Sequence, residues 1–326
     1  MRSKLTKASA RFWHFFEQEQ PTWPLAFFRI GLGIICMGKM LVLLPSFIEL
    51  YGQYGFIQWT ISKFSNYPFL PHIGDMSLWI AETFHCSTDA ATYTLLYIYF
   101  LLCAMLILGV LTRLTTIALF LLHLAFINTG EAVIYGVDVF TQMALFYGMF
   151  FPLGSAYALD NVLGLSSFKK SSKGAGIAIR CIQIQMCLVY FSTTIEKSLG
   201  IQWWNGEAIW RTFMMPIFKT YDFAWVSGLP WLAVLTGVLV LIVEGGYIFT
   251  MWIPKLRTLW LLMIILLHLV ISVVMGMWFF GFVMVFLSLF AFGKDALKDL
   301  LPILARHRLV KNFRDSRNHL PDIAHF

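Results

Sequence analysis

Lys197 closes an otherwise apolar run. The stretch from Gln183 to Gly206 reads QIQMCLVYFSTTIEKSLGIQWWNG. Gln183, Tyr190 and Lys197 recur every seven residues, two helical turns less about 20°, so they share one face with Thr193 beside them. An amine partly withdrawn from water can serve as a base or nucleophile, and neighbouring hydroxyls can donate or relay protons. A polar line along a spanning helix cannot face lipid cheaply, so it must face other helices or a wet cavity. Thr193 and Lys197 also have the i,i+4 spacing of a hydroxyl–lysine dyad, but nothing else in the chain supports a peptidase.

Other titratable groups sit inside apolar runs: Arg29, Lys39, His123, Asp138, Glu244 and His268. Each charge at mid-membrane costs at least about 2.5–3.5 kcal/mol, so each needs a partner or a task. Arg29 and Glu244 fall in the same half of their spans and form a candidate structural ion pair. Lys39, His123, Asp138, Lys197 and His268 fall towards the opposite half, with Glu196 beside Lys197 and Trp203 just beyond. Such a gathering predicts a polar pocket at one side of the bilayer. Lys197 and His268 are its candidate catalytic residues; Tyr190, Thr193, Glu196, Asp138, Lys39, His123 and Trp203 line or support it. Taken singly, these residues also suit packing, interface anchoring or snorkelling.

The elements that must position these groups are membrane helices. The chain of 326 residues is 59% hydrophobic and 13% charged, against about 25% charged in soluble domains. Apolar runs predict spans near 24–46, 91–111, 114–130, 134–153, 177–197, 229–252, 256–275 and 277–292. The fold class is therefore all-α, a polytopic membrane helix bundle of about eight transmembrane helices. A basic leader (1–22) precedes this domain (23–293), and a basic tail (294–326) follows it. FWHFF at 12–16 suits an interfacial helix. The loop 47–90 has room for short helices or a lid, and WNGEAIWRTFMM (204–215) reads as a surface amphipathic helix.

Most of the 24 Lys and Arg residues fall in the leader, the tail and alternate loops. The positive-inside bias then puts both termini in the cytoplasm and the Lys197 end outside. The net charge of +7 is thus a matter of topology, and nucleic acid is excluded as its explanation. The five cysteines have no metal-ligand or CxxC spacing and read as packing residues, so no metal site is expected. Gly-rich phosphate loops, HExxH and GxSxG are absent.

Four stretches carry a resemblance: LAFFRIGLG (25–33), ELYGQYG (49–55), VYFSTTIEKSLGIQWWNG (189–206) and LHLVISVVMGMWFF (267–280). In order and spacing they resemble the HTTM, or vitamin K-dependent gamma-carboxylase-like, superfamily of membrane proteins. The resemblance implies Lys197 as the base that deprotonates a lipid-soluble hydroquinone of the vitamin K type, His268 as the family histidine, and Arg29 as the arginine of the first helix. Val137 and Asp138 stand where a family histidine is expected, and Lys39 replaces an acidic residue, so glutamate carboxylation itself is not implied. The size resembles small prokaryotic members, including the sporulation-delaying protein B family, which acts in maturing a secreted peptide toxin. A multi-pass protein of the bacterial inner membrane follows, with a secreted peptide as an implied substrate or partner. A non-catalytic role in peptide maturation, export or immunity, and a transporter, stay open as alternatives.

Overall fold

The periodic apolar runs form helices in the computed structural model, which describes residues 12–306 apart from 68 and 219–220. The leader's Arg2, Lys4, Lys7 and Arg11 and the tail beyond 306 lie outside the described residues. In chain order the helices are α1 (12–17), α2 (Trp23–Leu43), α3 (Phe47–Tyr51), α4 (Trp59–Ser65), α5 (Ile73–Phe84), α6 (Thr88–Leu108), α7 (Thr112–Thr129) and α8 (Gly136–Phe150). There follow α9 (Leu159–Val162), α10 (Lys173–Leu199), α11 (Ile201–Trp204), α12 (Glu207–Met214), α13 (Pro230–Thr250), α14 (Pro254–Met275), α15 (Trp278–Ser288) and α16 (Lys294–Arg306). A π turn at Leu289–Gly293 joins α15 to α16. Two short strands, β1 (Gln20–Pro21) and β2 (Ser171–Ser172), pair antiparallel.

The protein is an all-α, multi-pass membrane helix bundle. Among the described residues, seven helical stretches are long and apolar enough to cross a bilayer: Trp23–Tyr51, Thr88–Leu108, Thr112–Thr129, Lys173–Leu199, Pro230–Thr250, Pro254–Met275 and Trp278–Pro302. The stretch expected as the fourth span is α8, whose 15 residues rise only about 22 Å. Phe151 leaves the helix for extended backbone and Pro152 follows, which sets that length. Leu and Val side chains along α14 are exposed, among them Leu259, Leu262, Leu266 and Val270. In lipid that is the expected state of an outward face.

The chain forms two compact units, one of residues 1–182 with 277–287 and one of residues 183–276 with 288–326. In the first, Arg29 is fully buried. Its guanidinium donates to the carbonyls of Leu153 (3.1 Å), Ala156 (3.3 Å) and Tyr157 (2.6 Å). These carbonyls come from the turn that Pro152 forces after α8, where the backbone cannot satisfy itself. Asp160 closes the same region: its carboxylate accepts from the N–H groups of Leu111 (2.6 Å) and Thr112 (2.9 Å) at the start of α7. Those donors have no partner within their own helix.

The loop 47–90 contains α3, α4 and α5 and is tied to the end of α7. Asn66 donates to the carbonyl of Asn128 (2.7 Å), Asn128 to that of Pro71 (3.0 Å), and the N–H of Ile73 to Thr129 Oγ1 (3.0 Å). His72 is the keystone. Its Nδ1 accepts from the N–H of Gly74 (2.9 Å), so Nε2 carries the proton and donates to Ser62 Oγ at 2.8 Å. That polarity is the reverse of a serine activated by histidine.

Burial, and then the nearby Lys63, lower the His72 pKa to about 4. The ring is therefore neutral when folded but takes a proton near pH 6.5 when the segment unfolds. Its contribution to stability is complete above pH 6.5 and is lost as the pH falls towards 4. Limited proteolysis of the 47–90 segment between pH 7.5 and 4.5 should accelerate with acid in the wild type. His72→Gln, which lacks the titrating ring, should remove most of that pH dependence.

Candidate functional site

The expected polar face of α10 is present. Gln183 is fully buried and donates to the carbonyl of Ala291 at 2.7 Å and to Asp295 at 3.3 Å. Tyr190, also buried, shares a hydrogen bond with His268 Nε2 of α14 at 2.8 Å. Lys197 Nζ lies 2.6 Å from both carboxylate oxygens of Glu244 on α13. Thr193 Oγ1 touches the same carboxylate at 3.4 Å and the Tyr190 carbonyl at 3.1 Å. The Trp203 ring centre is 4.9 Å from the Lys197 ammonium, within cation–π range. Tyr247 stacks at a tilt on Tyr190, with ring centres 4.4 Å apart.

Neither Arg29 nor Glu244 takes the partner expected from its depth in its span. Arg29 holds the backbone turn described above, and Glu244 holds Lys197. The reason lies after α10. Helices α11 and α12 and the turn Ala224–Gly228 lie along the first half of α13, where Trp203, Trp210, Phe213 and Phe223 pack around Ile209, Val226 and Ala233. Gly237 admits this segment, since a side chain there would strike the Trp203 carbonyl. The end of α10 thus lies level with the interior of α13, and Lys197 meets Glu244 well past the midpoint of that helix. These pieces form a packed layer on α13. The short helix α12 is the amphipathic surface helix expected from 204–215, with Arg211 exposed and Ile209 buried.

The contact of α10 with α13 needs small residues. A Cβ on Gly245 would sit 2.9 Å from Thr194 Cγ2. The pair Gly245–Gly246 directly follows Glu244: Gly245 faces Thr194 of α10, and a Cβ at Gly246 would strike the Trp260 ring of α14. This EGG triplet was the signal in the sequence that could have named Glu244 as the partner of Lys197.

The remaining predicted residues divide between the two units. Lys39 and Asp138 form a buried ion pair in the first, joining α2 to α8. Asp138 also accepts from the N–H of Tyr135 at 3.0 Å, capping α8. His123 Nδ1 shares a hydrogen bond with Tyr99 Oη at 2.9 Å. These groups are buried within the first unit. Glu196 is exposed and has no hydrogen bond or ion pair among the described residues.

The second-unit cluster has the makings of acid–base chemistry: an ammonium, a carboxylate, a phenol and an imidazole on three helices. Its lysine is the accessible member, with a quarter of the side chain exposed against 6% for Glu244. Among the described residues no group of His, Cys, Asp and Glu could hold a metal ion. Comparison with protein-family models, curated proteins and solved structures finds no match to this chain.

Gly245→Ala should force α13 from α10 and lower stability by about 1–3 kcal/mol, read as a lower melting temperature in detergent. Adding Thr194→Ser, which removes the obstructing Cγ2, should recover most of the loss. Equal melting of the single variant and wild type would contradict the close approach.

Proposed function

We propose that the protein is a membrane-embedded enzyme of the gamma-carboxylase-like class, in which Lys197 acts as base towards a lipid-soluble weak acid such as a quinone-type hydroquinone. The observation that carries this reading is the Lys197–Glu244 pair itself: a carboxylate buried to the last few per cent holds an amine that stays partly open. Transfer of one proton from Nζ to a Glu244 oxygen leaves a neutral amine on the more exposed side chain of the pair. That amine takes the hydroxyl proton of a bound acid, giving the substrate anion beside a renewed ammonium, while Glu244 keeps the first proton until release. The ammonium stabilises the anion it creates. Trp203 supplies an aromatic face against which a flat ring can lie, and Tyr190 with His268 fixes the helix that carries the lysine.

The distribution of basic residues supports a placement with the N-terminus in the cytoplasm, as in a bacterial inner-membrane protein. A cytoplasmic C-terminus follows if α8 completes an eighth crossing. The Lys197 end then faces outwards, where a secreted peptide could be the final substrate. The rival reading is a non-catalytic protein that binds such a peptide.

The test is chemical. Purified with its native lipids, the wild type should carry a quinone-type lipid in its organic extract, identified by mass spectrometry. Lys197→Ala at normal abundance should lose turnover of that lipid by about 100-fold or more, the scale of a general base. His268→Gln should lose less and shift the pH profile. An extract free of quinone-type lipid, with phenotypes that follow only protein abundance, would overturn the enzyme in favour of the peptide-binding reading.

A further inference from the structure

A cavity of about 640 Å³ lies within the first unit. It opens where the start of α7, the end of α8 and the start of α10 come together. Arg113 and Lys169 stand on its wall, both exposed and neither in an ion pair among the described residues. Asp160 also reaches the lining, but both its oxygens are engaged by the N–H groups of Leu111 and Thr112. Neither cation is ion-paired with Asp160 or with another acid among the described residues, so both stay available to a ligand.

Ser155 supplies an independent indication. It is only 7% exposed, lines the same cavity, and its Oγ has no hydrogen-bond partner among the described residues. A hydroxyl held out of bulk water without a partner has an unused donor, so an acceptor arriving in the cavity can take it up. Its carbonyl accepts from the N–H of Lys169 at 3.0 Å, which fixes the lysine next to the hydroxyl. The rim is apolar: Phe150, Leu114 and Leu165 are each more than half exposed. All three helices that meet here are at their ends, so the cavity sits where a membrane helix leaves the hydrocarbon for the headgroup layer.

The geometry points to a binding site for the phosphate headgroup of an acidic phospholipid, with Arg113 and Lys169 pairing the phosphate, Ser155 donating to a phosphate oxygen, and the acyl chains running along Phe150, Leu114 and Leu165. Two unpaired cations select a net anion over a zwitterion. The apolar rim selects a lipid over a soluble phosphate. Basic pockets beside membrane helices bind acidic headgroups by the same physics.

Native mass spectrometry of the full chain in detergent, titrated with phosphatidylglycerol or phosphatidylcholine, tests this. Phosphatidylglycerol should bind the tighter by tenfold or more. Arg113→Gln and Lys169→Gln should each weaken it about fivefold, as expected for one charge near a membrane surface. Ser155→Ala, which disturbs the fold least, should weaken it several-fold. Lys173→Gln, a neighbouring exposed lysine paired with Glu17 at 3.1 Å, should change it less than twofold. Equal binding of the two lipids, or phosphatidylglycerol affinity unchanged by Ser155→Ala and by both charge removals, would overturn the site. Displacement of the lipid by inorganic phosphate at equal concentration would assign the site to a soluble anion and overturn the lipid assignment.

Discussion

A charge inside a membrane helix must find its opposite within reach of a side chain, and the second unit is built around one such meeting. Lys197 and Glu244 come from helices whose other residues are chosen for lipid or for packing. Their contact depends on Gly245 of α13, which faces Thr194, and on the layer of α11, α12 and Ala224–Gly228 that covers its first half. Breaking a buried pair by removing one partner is costly, because the remaining charge has no water to turn to. The pair therefore fixes the register of α10 against α13, and with it the level at which Tyr190 meets His268.

The same constraint operates in the first unit with other partners. Lys39 takes Asp138, and Arg29 takes three carbonyls from the turn after α8. Asp160 takes the unsatisfied N–H groups at the head of α7. A guanidinium with fixed planar donors suits scattered carbonyls better than an ammonium does. These contacts stiffen the helix ends, and the cavity bounded by Arg113, Lys169 and Ser155 is a by-product of that stiffening. The turn that Arg29 holds is also the turn that presents Ser155.

Much of the fold was legible because hydropathy acts along the chain. Runs such as Thr88–Leu108 and Pro254–Met275 are long, apolar and ended by Gly or Pro, so their lengths came within a few residues of the helices formed. The seven-residue spacing of Gln183, Tyr190 and Lys197 likewise told which face of α10 would be buried. Partners were less legible, because they are set across space. Depth along a span assumes that every helix crosses straight from one surface to the other. Helices α11 and α12 break that assumption by lying along α13, so Glu244 meets Lys197 instead of Arg29. The length of α8 was misjudged for a local reason, as Pro152 follows an apolar run that extends past its helix. Asp160 and Ser155 were invisible as functional candidates because a polar residue in a loop carries no signal of burial.

The central claim is that Lys197 and Glu244 form a coupled pair within the second unit. A double-mutant cycle of Lys197→Met, Glu244→Gln and the combination, read as unfolding free energy in detergent, tests it most directly. Each single change should destabilise the protein by about 3–5 kcal/mol. The double variant should be more stable than the sum of the two implies, by well over 1 kcal/mol, as expected for residues in contact. Additive losses would mean that the two side chains do not interact, and the account of the site would fall with them.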